Sequence, residues 1–174
     1  MKKLFSSPAI LLVATFFVSV TLTAQKSSSD PTFKNLNLEA PSASPTPSAD
    51  ISAINSKALK SFSRNYKTGA EVHWSNSGEL TQASFNENGK QNRVFYRPNG
   101  KWFRTIITYD QSLLRKDIKS LVNRNFRKYE ITCVTEVHEG SMDAYFINID
   151  TPKDFKVVIV YEGEVFVHQE YMKQ

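Results

Sequence analysis

Two spacings of apolar residues alternate along positions 51–174. Ile51, Ile54, Ala58, Leu59, Phe62 and Tyr66 recur at intervals of three and four, which lines them along one stripe of a helix. Asp50 is placed to cap the start of that helix and Gly69 to end it. Leu114, Ile118, Leu121, Val122 and Phe126 repeat the stripe after Asp110. Each stripe is followed by four strand-like runs, at 70–75, 79–86, 90–97 and 101–109, then at 129–138, 142–150, 155–161 and 164–171. All 6 glycines fall between these runs and none inside one. Asn88-Gly89 and Asn99-Gly100 are hairpin signals, because Asn and Gly tolerate the left-handed backbone of a tight turn. The expected fold class is therefore α+β: two tandem helix-plus-four-strand antiparallel units, about 51–109 and 110–174, forming one curved sheet with the helices on one face.

Upstream the pattern changes twice. Lys2 and Lys3 precede an uncharged, mostly apolar stretch from Ala9 to Leu22, and Leu22-Thr23-Ala24 ends it with a small residue before Gln25. That order of charge, short apolar core and small-residue exit is an export signal spanning 1–24, with an uncleaved anchor as the alternative. Residues 25–50 hold Pro31, Pro41, Pro45 and Pro47 among Ser, Thr and Ala, with few apolar side chains to bury. Such a segment reads as a disordered or extended tether.

Within the folded part, a helix followed by Gly69-Ala70-Glu71-Val72-His73-Trp74, Ala83-Ser84-Phe85, Asn88-Gly89-Lys90 and Asn99-Gly100-Lys101-Trp102 resembles the PepSY-like, beta-lactamase-inhibitor-protein-like (BLIP-like) domains of secreted bacterial proteins. The resemblance covers Ile51 to Gln174 as two copies. The second copy departs from the pattern at Pro152-Lys153-Asp154, where an Asn-Gly hairpin is expected. The resemblance implies a periplasmic or secreted binding module with a curved sheet. Inhibition of a beta-lactamase does not carry over, because no inhibitory loop matches residue by residue.

Composition narrows the chemistry. The formal charge is +5, and Lys2 and Lys3 supply two of it, so the exported part is only mildly basic. A nucleic-acid binder concentrates more positive charge on one face, and no nucleic-acid partner is expected. Cys133 is the only cysteine, so there is neither an internal disulfide nor a multi-cysteine metal site. His73, His138 and His168 lie on three different predicted strands with no carboxylate or second histidine at ligand spacing, which gives no metal site. No nucleophile elbow or phosphate loop is present, and carboxylate pairs such as Glu136 and Glu139, or Glu162 and Glu164, flank turns. The chain is expected not to be an enzyme and to need no cofactor.

The candidate site is a set of interleaved basic and aromatic residues. If Asn88-Gly89 and Asn99-Gly100 are both two-residue turns, strand alternation puts Ala83, Phe85, Val94, Tyr96 and Phe103 under the helices. Arg93, Phe95, Arg97, Trp102 and Arg104 then share the opposite face, with the composition of a recognition surface. A bulge at Pro98-Asn99-Gly100 would instead exchange the faces of the last strand. Arg115, Lys116, Lys119, Arg124, Arg127 and Lys128 form a basic stripe on the second helix, read as a solvated outer face. The expected function is a non-catalytic binding module with an envelope protein or peptide as partner, in an inhibitor-like or chaperone-like role. The alternative is an envelope-surface protein holding anionic glycan or lipid. Membrane contact is expected only through an uncleaved signal segment.

Overall fold

The computed structural model describes residue 52 and residues 54–173. The expected export signal at 1–24, the tether at 25–50 and the capping role of Asp50 lie outside the described residues. The described residues run through helix α1 (Ser56–Asn65), then strands β1 (His73–Ser77), β2 (Leu80–Glu87), β3 (Lys90–Tyr96) and β4 (Trp102–Tyr109). A single 3-10 turn (Gln111–Leu113) leads to helix α2 (Lys116–Asn125) and to β5 (Glu130–Glu139), β6 (Met142–Asp150), β7 (Asp154–Tyr161) and β8 (Glu164–Met172).

All eight strands form one antiparallel sheet in chain order. This corrects the expectation of two helix-plus-four-strand units: β4 pairs with β5 from Arg104–Glu139 to Tyr109–Val134, so the ladder runs unbroken where a boundary between units was expected. The physical reason is that β4 and β5 both offer free backbone edges and β-rich sequence, and an interrupted sheet would leave both rows of donors unpaired.

Local chemistry explains the helix ends. Asn55 caps α1, its side-chain oxygen accepting from the amides of Lys57 (2.9 Å) and Ala58 (3.4 Å). The helix stops at Asn65, four residues before Gly69, because Tyr66 is already extended. Asp110 does not cap the second helix; its carboxylate accepts from the Ser112 amide and closes the 3-10 turn instead. The Asn88-Gly89 turn is the expected tight hairpin, with φ of 51° and 74°.

Strand register decides the two faces. Trp74, Ala83, Val94, Thr105, His138 and Asp143 are successive partners across β1 to β6 and share one face. Both helices pack there. Ile54, Ala58 and Phe62 of the α1 segment bury against Trp74, Ala83, Phe85, Val94 and Tyr96. Leu114 and Val122 bury against Tyr109, Val134, Ile147, Val158 and Val160. Phe62 meets Trp74 and Phe85 edge-on at 5.3 and 5.7 Å, an aromatic geometry that adds to the burial. At the far end of the sheet Lys156 is buried yet paired with Asp154 (2.9 Å) and Glu170. Tyr129 and Thr151 donate to Asp154 and hold its carboxyl down at about 2.

Candidate binding face of the sheet

On the side away from the helices, Ser84, Arg93, Ile106, Val137 and Ala144 form the matching cross-strand row. Val137, Ala144, Phe146 and Ile159 are buried as a cluster, with Met142, Val157 and Tyr161 packed at its margin. Phe95 and Ile106 continue the apolar strip toward β3. Among the described residues no helix lies on this side, so the strip is made by a sheet whose own side chains cover one another.

The strip ends in arginines. Arg93 is half-buried on β3, two residues before Phe95 on the same face, its guanidinium pKa lowered by burial, and no carboxylate among the described residues pairs with it. Arg104 stands 3.5 Å from Glu139, its opposite number on β5. The guanidinium carbons of Arg97 and Arg104 lie 4.7 and 4.5 Å from the centre of the Phe103 ring, which the two cations flank.

This arrangement depends on one irregular residue. The β3–β4 connection is a three-residue loop closed by the bonds Gly100 N–H to Arg97 O (2.8 Å) and Arg97 N–H to Lys101 O (2.9 Å). Phe95 pairs with Arg104 but Tyr96 pairs with Trp102, so Phe103 is a bulge. Four of the five residues singled out in the sequence, Arg93, Phe95, Arg97 and Arg104, are therefore brought together on the uncovered face. Trp102 is not among them: it turns to the helix side, where its Nε1 donates to Thr105 Oγ1 at 2.9 Å, although 36% of it stays exposed. Phe103, expected under the helices, takes its place between the arginines.

A second polar constellation sits on the helix side and was missed. Tyr109 Oη donates to Glu136 Oε1 (2.5 Å), Glu136 Oε2 is 3.7 Å from His138 Nε2, and His138 Nδ1 is 2.6 Å from Asp143 Oδ1. Two carboxylates thus flank a histidine that the sequence reading left without any. The signal was present: Glu136 and His138 are two apart on a strand and must share a face, and Asp143 is the cross-strand partner of His138. Glu136 raises the imidazole above its usual range, burial opposes this, and Asp143 adds to it. Burial pushes the Glu136 carboxyl up, but bonds to His138 and Tyr109 outweigh that and leave it lowered. With a carboxylate at each ring nitrogen, the imidazolium has no free lone pair to act as a base. His73 is an exposed strand residue 4.0 Å from Glu71, and His168 packs edge-on to Phe146 at 5.9 Å. Among the described residues no group of three or more His, Cys, Asp and Glu could hold a metal ion.

No family model and no curated protein matches this sequence. Solved structures do match in fold. A Bacteroides eggerthii protein provisionally described as periplasmic aligns with a TM-score of 0.54 at 18% identity, over 67% of this chain and 87% of its own. A BLIP-like protein from Bacteroides fragilis aligns at 0.55 and 13%, over 67% and 84%. A DUF2874 family protein from Bacteroides ovatus aligns at 0.56 and 15%, over 67% and 86%. The chain thus has the BLIP-like fold, which bears out that part of the sequence resemblance.

Proposed function

We propose that this protein is a non-catalytic binding module of the bacterial cell envelope, holding a protein partner against the uncovered face of its sheet. The observation that carries this reading is the half-buried, unpaired Arg93 at the end of the Phe95–Ile106–Val137–Phe146 strip, beside the Arg97–Phe103–Arg104 stack. A desolvated guanidinium without a counter-ion is costly, and a carboxylate on a partner would satisfy it. The partner chemistry that fits is an acidic side chain next to apolar ones, presented by a protein or an extended peptide. The export-type leader supports an envelope location, as does the fold shared with the Bacteroides eggerthii protein provisionally described as periplasmic.

A photo-crosslinking residue placed at Phe103, and separately at the exposed Ser120 of α2, tests the reading in cells of the producing bacterium. A discrete protein adduct should form from position 103 alone and disappear when Arg93→Glu and Arg104→Glu are added. Adducts of the same pattern from both positions, or none from position 103, would refute it.

A further inference from the structure

The helical segments and the strands of the molecule differ sharply in charge. Residues 52–69 and 111–129, which hold the helices and their flanks, contain ten Lys and Arg and a single acid, Asp117. The remainder of 52–174 contains eight Lys and Arg against thirteen Asp and Glu. A net formal charge of only +5 in the whole chain therefore conceals helical segments near +9 and a remainder of 52–174 near −5. Register puts α1 and α2 on the same side of the sheet, so their charges add rather than oppose. Nine of the ten basic residues are exposed, Lys119 alone being half-buried. Of these ten, only Arg115 has an ion-pair partner among the described residues, Asp117 at 2.6 Å.

A solvated helix face needs charge but not charge of one sign. Mixed signs solubilise as well and add favourable pairs along the helix, whereas like charges three and four apart repel. Lys57, Lys60 and Arg64 follow that unfavourable spacing on α1, and Arg124, Arg127 and Lys128 crowd the end of α2. The aromatic residues of the same segments, Phe62, Tyr66, Phe126 and Tyr129, pack inward on the sheet. None is left outside to stack on a base, as a single-strand nucleic-acid surface requires.

We infer that the helix side is a docking surface for an anionic phospholipid bilayer, which holds the domain with its uncovered sheet face turned outward. Long, independently mobile cations that converge on no single point suit a fluid layer of headgroups, which can rearrange beneath each charge. The inference does not rest on the sheet-face reading: one concerns where the domain sits and the other what it holds.

The test uses the exported chain from Gln25 onward, so that the apolar leader cannot insert. Its sedimentation is measured with phosphatidylcholine vesicles and with vesicles also containing phosphatidylglycerol, at about 0.05 M and about 0.5 M salt. Binding should need phosphatidylglycerol and vanish at the higher salt. The variant Lys60→Gln, Arg64→Gln, Arg124→Gln, Arg127→Gln should lose about fivefold in affinity per charge, several hundredfold in all. Its melting temperature should stay within about 3 °C of wild type. The variant Lys101→Gln, Lys153→Gln on the sheet loops should bind within about threefold of wild type. Absence of binding to the anionic vesicles at low salt would overturn the inference, as would equal binding by both variants. So would tighter binding to heparin or single-stranded RNA than to the anionic vesicles, which would make a soluble polyanion the partner.

Discussion

Substitution of Gly100 by Ala probes the close approach of the β3–β4 turn to the first turn of α1. Gly100 has φ of +78°, and an added methyl would lie 2.3 Å from Lys57 Cβ and 2.8 Å from the Lys57 carbonyl carbon. The second of these is backbone in the first turn of α1 and cannot rotate away. Restoring ordinary contact moves the turn about 1 Å from the helix, and Asn55 Nδ2 then loses its 2.6 Å bond to Pro98 O. The left-handed backbone alone costs Ala about 1 to 2 kcal/mol. The lost hydrogen bond adds about 1 kcal/mol. Forced separation of packed groups adds a further 1 to 3 kcal/mol, roughly. The sum is about 3 to 6 kcal/mol, a large part of the stability of a domain this size. Gly163→Ala is the control, since Gly163 has nearly the same φ, +80°, with nothing within 4 Å of the added methyl. It should pay only the backbone cost of about 1 to 2 kcal/mol. Thermal melts by near-ultraviolet circular dichroism should separate the two variants by at least about 6 °C. Equal melting temperatures would refute the close approach of turn and helix.

Other consequences are equally direct. Tyr96 Oη is buried without a hydrogen-bond partner, so Tyr96→Phe should stabilise by up to about 1 kcal/mol; a loss on urea denaturation would mean that the hydroxyl is satisfied. Lys156→Ala leaves Asp154 and Glu170 facing each other without their cation and should cost about 3 kcal/mol in the same assay; a cost near zero would show that the pair is solvated. His138 has a raised folded pKa, so its contribution is fully present below the unfolded value of about 6.5 and is lost as pH rises through the higher folded value. Wild type should therefore exceed His138→Gln in stability to urea most at acid pH, by less than about 1 kcal/mol given the partial exposure of the ring, and the gap should close toward alkaline pH. A gap that widens with pH would reverse the assignment of an imidazolium between two carboxylates.

Much of the fold was legible because its elements are short-range. The strand limits follow turn residues whose backbone demands are local, and β6 coincides with the expected 142–150 run. The apolar stripes identified the helix faces correctly, with Ala58, Phe62 and Val122 all buried. The expectation of two units within one curved sheet fails because β4 pairs directly with β5 and all eight strands follow one another in a single ladder. The pairing of strands separated by a helix is a long-range choice, decided by which arrangement leaves no interior edge unpaired.

The candidate site was legible to within one residue, and that residue changed its composition. Pro98-Asn99-Gly100 can close a hairpin as a two-residue or a three-residue loop, and the free energies of the two differ too little for local sequence to choose. Tertiary contact chooses: only the three-residue loop brings Pro98 O to Asn55 and Gly100 against Lys57. The extra residue has to be absorbed in β4, and it is absorbed at Phe103, where two guanidiniums can cover a ring that has left the ladder. Trp102 is thereby sent to the helix side, where Thr105 accepts from its indole and Tyr66 Oη approaches the same hydroxyl at 3.1 Å. The contact between α1 and the hairpin therefore determines which aromatic the uncovered face presents, through a loop that makes no part of that face.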